Sequence, residues 1–170
     1  ADEDGIIQEI FRRIGVSKKI FIEVGVGDGT ENNSLYLLLQ GWKGAWIEGD
    51  GQCIDSIKNN FYTLLNENRL KLIPEWVSKE NINQVIYDCQ LPEEIDLLSI
   101  DVDGNDYHIV ESISPLNARV VVLEYNGKFP PPVKWIIKYN PHHHWDGSDY
   151  FGASLKSFEL LLRGKGYLLV

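Results

Sequence analysis

The sequence is short of several residue types, and each shortage excludes a class of protein. Only two of its 170 residues are cysteines, Cys53 and Cys89, too few for a disulfide framework and without the spacing of a zinc site. The 16 basic residues are outnumbered by 25 acidic ones, and a net charge of −9 argues against binding to nucleic acid or to an anionic membrane. No apolar run approaches the roughly 20 residues of a membrane helix. We therefore expect no nucleic-acid partner and no membrane span.

Methionine is absent altogether, including an initiator, so we expect a processed or trimmed chain. The first residues show no basic stretch followed by an apolar run, which is the pattern of a secretory signal. Together with the low cysteine content, this predicts a cytoplasmic protein. The length and the 44% hydrophobic content are typical of one globular domain, which we expect to cover residues 1–170.

Short apolar runs alternate with segments of helical periodicity along the chain. Strands are predicted at residues 19–25, 45–49, 70–77, 95–102, 118–126 and 166–170. Helices are predicted at residues 1–15, 31–40, 53–65, 81–88, 106–113 and 154–163. This alternation predicts an α/β fold, a Rossmann-like three-layer sandwich with a mostly parallel sheet.

A glycine-rich turn follows the first of these strands. Residues 23–29 read Glu-Val-Gly-Val-Gly-Asp-Gly, and a helix is predicted shortly after them. Glycines at the carboxyl end of a strand in such a sheet let the backbone approach a ligand. Glu48 closes the next strand, where an acid can accept hydrogen bonds from ribose hydroxyls. The combination predicts a nucleoside site, and the alternative is a turn that serves packing alone.

The Glu-x-Gly-x-Gly sequence at 23–27 resembles the first motif of class I S-adenosylmethionine-dependent methyltransferases. The runs at 31–39, 46–48, 96–104 and 121–126 are similar, more narrowly, to the FkbM group. This resemblance implies S-adenosylmethionine as cofactor. Class I methyltransferases usually end with a further antiparallel strand, and residues 166–170 match the strand before it, so we expect the final antiparallel strand to be missing.

The resemblance also implies which residues contact the cofactor. They are Glu23, Gly25, Gly27, Glu48, Trp76, Val77 and Asp101. The first three would hold the methionine part, and Glu48 would hold the ribose. Trp76 or Val77 would flank the adenine, while Asp101 would line the methyl-donor end. For Trp76 a core position is the alternative.

Acidic and amide side chains follow two of the predicted strands. Side chains alternate between the two faces of a strand, so Asp103 lies on the same face as Asp101 if the strand extends that far. Glu124 and Asn126 share a face at the end of the next strand. The resemblance implies that the two strands are neighbours, so these side chains could converge on Mg²⁺ or a similar cation. In the alternative, Asp103 and Asp106 cap the following helix and Glu124 binds substrate directly.

The longest irregular stretch, residues 127–152, contains His142, His143 and His144. Consecutive residues rarely point at one ion, so we predict an active-site lid instead of a zinc site. Because histidine titrates near neutral pH, one of these histidines would be a general base. The predicted catalytic residues are therefore Asp101, Asp103 and His144. A solvated polar loop is the alternative.

The resemblance implies methyl transfer from S-adenosylmethionine to an oxygen of a small-molecule or glycan acceptor. The fold leaves two alternatives open. An NAD(P)-dependent oxidoreductase would also use an acid after the second strand, although its glycine spacing differs. A noncatalytic binding module could keep the fold without the chemistry. The sequence predicts no oligomeric state.

Overall fold

The structure is a computed structural model that describes residues 3–170. These residues form two compact units. The first unit comprises residues 3–77, 84–99 and 117–122. The second unit comprises residues 78–83, 100–116 and 123–170.

Within the described residues, strands and helices alternate as predicted. The strands are β1 (Ile20–Val24), β2 (Lys43–Glu48), β3 (Leu70–Pro74), β4 (Ile95–Ile100) and β5 (Ala118–Leu123). The helices are α1 (Glu3–Ile14), α2 (Leu35–Leu39), α3 (Gly51–Asn60), α4 (Tyr62–Asn66), α5 (Ile82–Asp88), α6 (Asp106–Ser112) and α7 (Leu155–Gly164). None of these helices is long and apolar enough to cross a membrane.

The strands form one parallel sheet in the order β3-β2-β1-β4-β5, which confirms the predicted Rossmann-like α/β fold. Glu23 on β1 lies opposite Trp46 on β2, and Trp46 lies opposite Leu72 on β3. The strand order reverses at β1, because β2 and β4 flank it on opposite sides. In sheets of this kind, ligands bind outside the carboxyl ends of the strands at such a reversal.

The core of the first unit is apolar and rich in aromatic side chains. Trp46 is fully buried, and its ring packs edge-on against Phe61 with centroids 4.8 Å apart. Phe11 of α1 packs in the same manner against Trp42 at 5.0 Å. Burial of such large side chains outside water stabilises the sheet that carries the turn.

The second unit is built around α6 and α7. Ile109, Val110 and Phe158 are buried there, and α7 begins after Ser154, whose hydroxyl accepts from the Ser157 amide. A serine at this position satisfies an amide that the helix itself leaves unpaired. All residues of segment 127–152 are described, and as predicted they form no helix or strand. Ile136 in this segment forms an isolated bridge with Ala153.

Two predicted helices are shorter in the structure because of contacts with residues outside them. The helix predicted at 31–40 is reduced to α2, because Glu23 binds the amides of Asn33 and Ser34 in a turn. The helix predicted at 53–65 breaks at Phe61, whose backbone leaves the helical region as its ring packs on Trp46. The first helix, predicted at 1–15, is confirmed for Glu3–Ile14, and residues 1–2 lie outside the described range.

The strand predicted at 166–170 is wrong. Leu168 and Val170 are 83% and 95% exposed, so their apolar side chains do not join the packed sheet. Tyr167 instead donates its hydroxyl to the carbonyl of Leu116 at 3.1 Å. An apolar run forms a strand only where a neighbouring strand accepts its backbone hydrogen bonds.

Candidate functional site

The turn after β1 is shaped by the carboxylate of Glu23. Its oxygens accept from the backbone amides of Asn33 and Ser34 at 2.8 and 2.9 Å, and from the Ser34 hydroxyl. The indole of Trp46 donates to that same hydroxyl at 2.8 Å. Burial raises the pKa of Glu23, and the hydrogen bonds from Ser34 and Asn33 act in the opposite direction. Because Glu23 is buried and both of its oxygens accept hydrogen bonds, it holds the turn, and its contact with a cofactor stays a prediction.

Glu48, at the end of β2, holds the other side of the turn. Its Oε2 accepts from the Gly27 amide at 2.8 Å, and its Oε1 accepts from the amides of Gly49 and Asp50 at 2.8 Å each. A carboxylate offers about four accepting positions, two on each oxygen. Oε2 therefore keeps one position for a further donor. A ribose hydroxyl is such a donor, and the ribose contact of Glu48 stays a prediction.

The glycines of the turn are required by its backbone. Gly25 and Gly27 have positive φ angles of 77° and 57°, which favour glycine. No atom outside the neighbouring residues lies within 4 Å of the position that a Cβ on Gly27 would take, so space is open above it. At Gly29 a Cβ would lie 2.6 Å from the Trp46 ring, so this glycine allows the turn to pack on the core.

Trp76 lies beside Glu48 on the same unit. A Cβ on Gly49 would lie 2.4 Å from Trp76 Cε3, so the indole rests on the backbone of Gly49. The side chain is 47% exposed, which rules out the alternative of a core aromatic. Val77, the other residue predicted to flank adenine, is buried. An exposed indole next to a carboxylate with accepting capacity is a surface on which a nucleoside base can stack.

Three carboxylates meet in the second unit. One ligand oxygen from each of Asp101, Asp103 and Glu124 lies within 4.8 Å of the others. Asp103 does not arrive there by extension of the strand, because β4 ends at Ile100 and Asp103 has a φ of 55°. Asp106 holds this loop, since its carboxylate accepts from the amides of Val102 and Gly104 at 2.9 Å each.

Capping of α6 does not account for Asp103 and Asp106. The residue that precedes α6 is Asn105, and its side chain makes no capping hydrogen bond. The pKa of Asp106 is raised to about 6, because the effect of burial outweighs that of the hydrogen bonds from backbone amides, which lower the pKa. Partial burial of the carboxyl also raises the pKa of Glu124 to about 7, although the residue as a whole is exposed, and the charges of Asp101, Asp106 and Asp103 and a hydrogen bond with Asp101 act in the same direction. Such a group attracts a proton or a cation.

Asn126 is hydrogen-bonded to segment 127–152. Its buried amide donates to the carbonyls of Asp149 and Phe151 at 2.9 Å each, and its oxygen accepts from the Lys128 amide at 3.0 Å. These bonds tie both ends of segment 127–152 together, and a role of Asn126 as a metal ligand stays a prediction.

Segment 127–152 brings His143 to the loop that carries Asp101, Asp103 and Asp106. A Cβ on Gly104 would lie 2.2 Å from His143 Cδ2, so the imidazole lies directly on Gly104. The Asn105 amide donates to the carbonyl of Asn140 at 2.8 Å and fixes this part of the segment. His144 is exposed, and its role as general base stays a prediction.

Two buried polar atoms find no hydrogen-bond partner within residues 3–170. They are Nδ2 of Asn32 and Nε2 of His143. The sequence does not reveal that either atom is unpaired, because this depends on which nearby acceptors and donors already bond to other groups in the folded chain. A buried polar atom without a partner is uncommon and points to a missing ligand or water.

Comparison with known proteins identifies the fold and no family. No protein-family model matches the chain, and no curated protein matches it. A solved S-adenosylmethionine-dependent methyltransferase from Clostridium acetobutylicum ATCC 824 is 12% identical, with a TM-score of 0.51, over 75% of this chain and 52% of that one. The match therefore spans about half of the length of that protein.

Two other solved structures are less similar in three dimensions. The pyocyanin biosynthetic protein PhzM is 20% identical, with a TM-score of 0.42, over 74% of this chain and 38% of that one. The CcbJ methyltransferase from Streptomyces caelestis is 15% identical, with a TM-score of 0.41, over 64% of this chain and 43% of that one. The Clostridium structure thus shows a shared fold, and membership of the FkbM group stays a prediction.

Proposed function

We propose that this chain binds S-adenosylmethionine and transfers its methyl group to an oxygen of a small molecule or glycan. One observation carries the proposal. Glu48 keeps an accepting position on Oε2 at the end of β2, and the exposed indole of Trp76 lies beside it on Gly49. A carboxylate next to an aromatic ledge suits the ribose and base of an adenosine, and the open space at Gly27 suits the rest of the ligand.

In this proposal the first unit binds the cofactor. Glu48 would accept a hydrogen bond from a ribose hydroxyl, and Trp76 would stack on the adenine. Bound S-adenosylmethionine supplies an electrophilic methyl group on a sulfonium. Displacement at such a methyl group needs mainly alignment of the acceptor oxygen and exclusion of water, so the residues contribute position more than covalent chemistry.

Three carboxylates of the second unit are suited to hold a cation. Asp101, Asp103 and Glu124 offer hard oxygen ligands, which are the ligands that Mg²⁺ prefers. A divalent cation held there would lower the pKa of an acceptor hydroxyl bound to it. Without a cation, Glu124 is the group suited to take the hydroxyl proton, because its pKa is raised to about 7. These two chemistries differ in their dependence on Mg²⁺.

Binding of the cofactor is tested by calorimetric titration with S-adenosylmethionine, S-adenosylhomocysteine, NAD and NADP. We expect binding of the first two and a loss of about tenfold or more in affinity for S-adenosylhomocysteine in Trp76→Ala, because stacking of one base contributes about 1–3 kcal/mol. Trp145→Ala is the matched control, since Trp145 is 53% exposed and lies in the second unit.

The outcomes separate the candidate functions. Binding of NAD or NADP alone would overturn the proposal in favour of an oxidoreductase. Failure to bind any of the four ligands would favour a noncatalytic module. Equal losses in Trp76→Ala and Trp145→Ala would remove Trp76 from the site.

A further inference from the structure

Four backbone amides in and just after the glycine turn are already used within the protein. The amides of Gly25, Gly27 and Gly29 donate to Ile47 O, Glu48 Oε2 and Val26 O at 2.9, 2.8 and 3.1 Å. Thr30 donates both its amide and its hydroxyl to Asp28 Oδ1. In many nucleotide-binding turns such amides hold the anionic part of the ligand. Here these four amides have acceptors in the protein itself.

The amides at the start of α2 are used in the same way. Those of Asn33 and Ser34 donate to Glu23, and that of Leu35 donates to Asn32 Oδ1 at 2.9 Å. The helix has only five residues. An anionic group of a ligand therefore has to find a donor other than these amides.

Asn32 carries a donor that fits this need. Its Nδ2 is buried and has no hydrogen-bond partner among residues 3–170. The orientation of its carboxamide is fixed, because turning the group over would direct Nδ2 at the Leu35 amide, which is also a donor. Since an unpaired buried donor costs free energy, the folded chain is stabilised by any acceptor that reaches it.

The position of Asn32 in the turn indicates which part of the ligand it would meet. Gly27, early in the turn, is bonded to Glu48 on β2. Asn33, next to Asn32, donates its side-chain amide to Ser99 on β4 at 3.0 Å. Because β2 and β4 flank β1 on opposite sides, the segment from Gly27 to Asn33 passes from a contact with β2 to a contact with β4, and Asn32 lies at its second end.

We propose that Asn32 Nδ2 donates a hydrogen bond to the carboxylate at the amino-acid end of the ligand. Asn32 thereby distinguishes ligands that carry this carboxylate from nucleosides that lack it. The inference rests on the proposed function, since that function supplies a ligand with ribose at one end and an α-amino acid at the other.

The test compares two ligands that differ in the amino-acid end. S-adenosylhomocysteine has the carboxylate, and 5′-methylthioadenosine has the same nucleoside without it. In Asn32→Asp one oxygen still accepts from the Leu35 amide, while the other replaces the donor and repels the carboxylate. By calorimetric titration, we expect affinity for S-adenosylhomocysteine to fall by about tenfold or more and affinity for methylthioadenosine to change by less than about twofold.

Two further variants control for charge and folding. Asn59→Asp adds the same charge at an exposed position of α3 and should leave both affinities unchanged. Asn32→Ser adds no charge and can still bond the Leu35 amide, so it carries the test if Asn32→Asp does not fold. It should lower the affinity for S-adenosylhomocysteine by less than Asn32→Asp does. The affinity for methylthioadenosine should not change.

The possible results distinguish this inference from the proposed function. If the unmodified chain binds neither ligand, the proposed function is overturned and the role of Asn32 with it. If it binds S-adenosylhomocysteine and the Asn32 variants leave the ratio of the two affinities unchanged, the role of Asn32 is overturned and the proposed function stands.

Discussion

The two units use carboxylates at strand ends in opposite ways. In the first unit, Glu23 and Glu48 each accept three hydrogen bonds, five of the six from backbone amides. In the second unit, Asp101, Asp103 and Glu124 bring their oxygens within 4.8 Å of one another. The first arrangement surrounds each negative charge with donors, whereas the second places negative charges side by side.

This difference separates acids that build a site from acids that act in one. A carboxylate whose oxygens accept backbone amides determines the path of the backbone, and of the two acids Glu48 keeps one accepting position on Oε2 beyond this role. A carboxylate beside other carboxylates gains from any proton or cation that arrives. Asp106 is intermediate, because the amides of Val102 and Gly104 bind it while burial raises its pKa to about 6.

The largest change in the free energy of unfolding should come from removing a carboxylate of the first unit. Glu23→Ala leaves the amides of Asn33 and Ser34 buried without acceptors, so we expect the free energy of unfolding to fall by about 3 kcal/mol. Urea denaturation measures it. Asp28→Ala is the control, since exposed Asp28 also accepts an amide and a hydroxyl, both from Thr30. A loss in Glu23→Ala no larger than in this control would contradict the comparison.

Removing the charge of a carboxylate in the second unit should change the free energy of unfolding by less, and should raise it. The pKa of Glu124 is raised to about 7, above the value of about 4.3 expected in the unfolded chain, so the folded state binds more protons between these values. Its contribution to stability is therefore present at pH 4 and lost as pH rises through 7. At pH 8 we expect Glu124→Gln to be more stable than the native chain by about 1 kcal/mol, a value reduced because Glu124 is exposed.

Asp96 supplies the control for this pH dependence. Burial pushes its pKa up, but the amides of Ser17 and Lys18 and the guanidinium of Arg119 outweigh that effect and lower it. Its contribution is thus present above the unfolded pKa and lost as pH falls through the folded value. Urea denaturation from pH 3 to 8 should show both slopes in the native chain, and in Glu124→Gln the loss of stability with rising pH should be smaller but still present, because the raised pKa values of Asp106 and Glu23 remain. Identical curves would show that Glu124 does not titrate as described.

The smallest effect should come from adding the cation. At a Mg²⁺ concentration of twice its dissociation constant, we expect stabilisation of about 0.6 kcal/mol at pH 8, seen as a rise in melting temperature. Glu124→Gln should lose this response, and Glu48→Gln should keep it. Calorimetric titration with Mg²⁺ in the presence of S-adenosylhomocysteine provides the direct measurement. No binding near millimolar concentrations would exclude the metal and leave Glu124 as the proton acceptor.

Much of the fold was predictable because its signals are local. Each of the five strands is an apolar run of a few residues, and Glu48 could be recognised from its place at the end of β2. The boundaries were less predictable, because they depend on distant partners. The helix predicted at 31–40 is shortened by Glu23, a residue that lies outside the predicted helix. The strand predicted at 166–170 fails because nothing in its own residues reports whether a neighbouring strand is present.

The candidate site was predictable as a set of residue types and only partly as a set of roles. Asp101, Asp103 and Glu124 come together as expected, although Asp103 does so through a left-handed backbone conformation and not as part of a strand. The choice among three consecutive histidines had no basis in their spacing. It follows from the packing of His143 on Gly104, where only a glycine leaves room for the ring.

The sequence by itself determined the alternation of strands and helices and the presence of acids at the ends of strands, since periodicity and chain order are properties of neighbouring residues. Only the tertiary structure decided what each acid does. Glu48 bonds an amide 21 residues away, and Asp101 meets Glu124 across two strands. Hydrogen bonds and charge interactions depend on distance in space, so the same residue type becomes a support for a turn in one place and a candidate ligand for a cation in another.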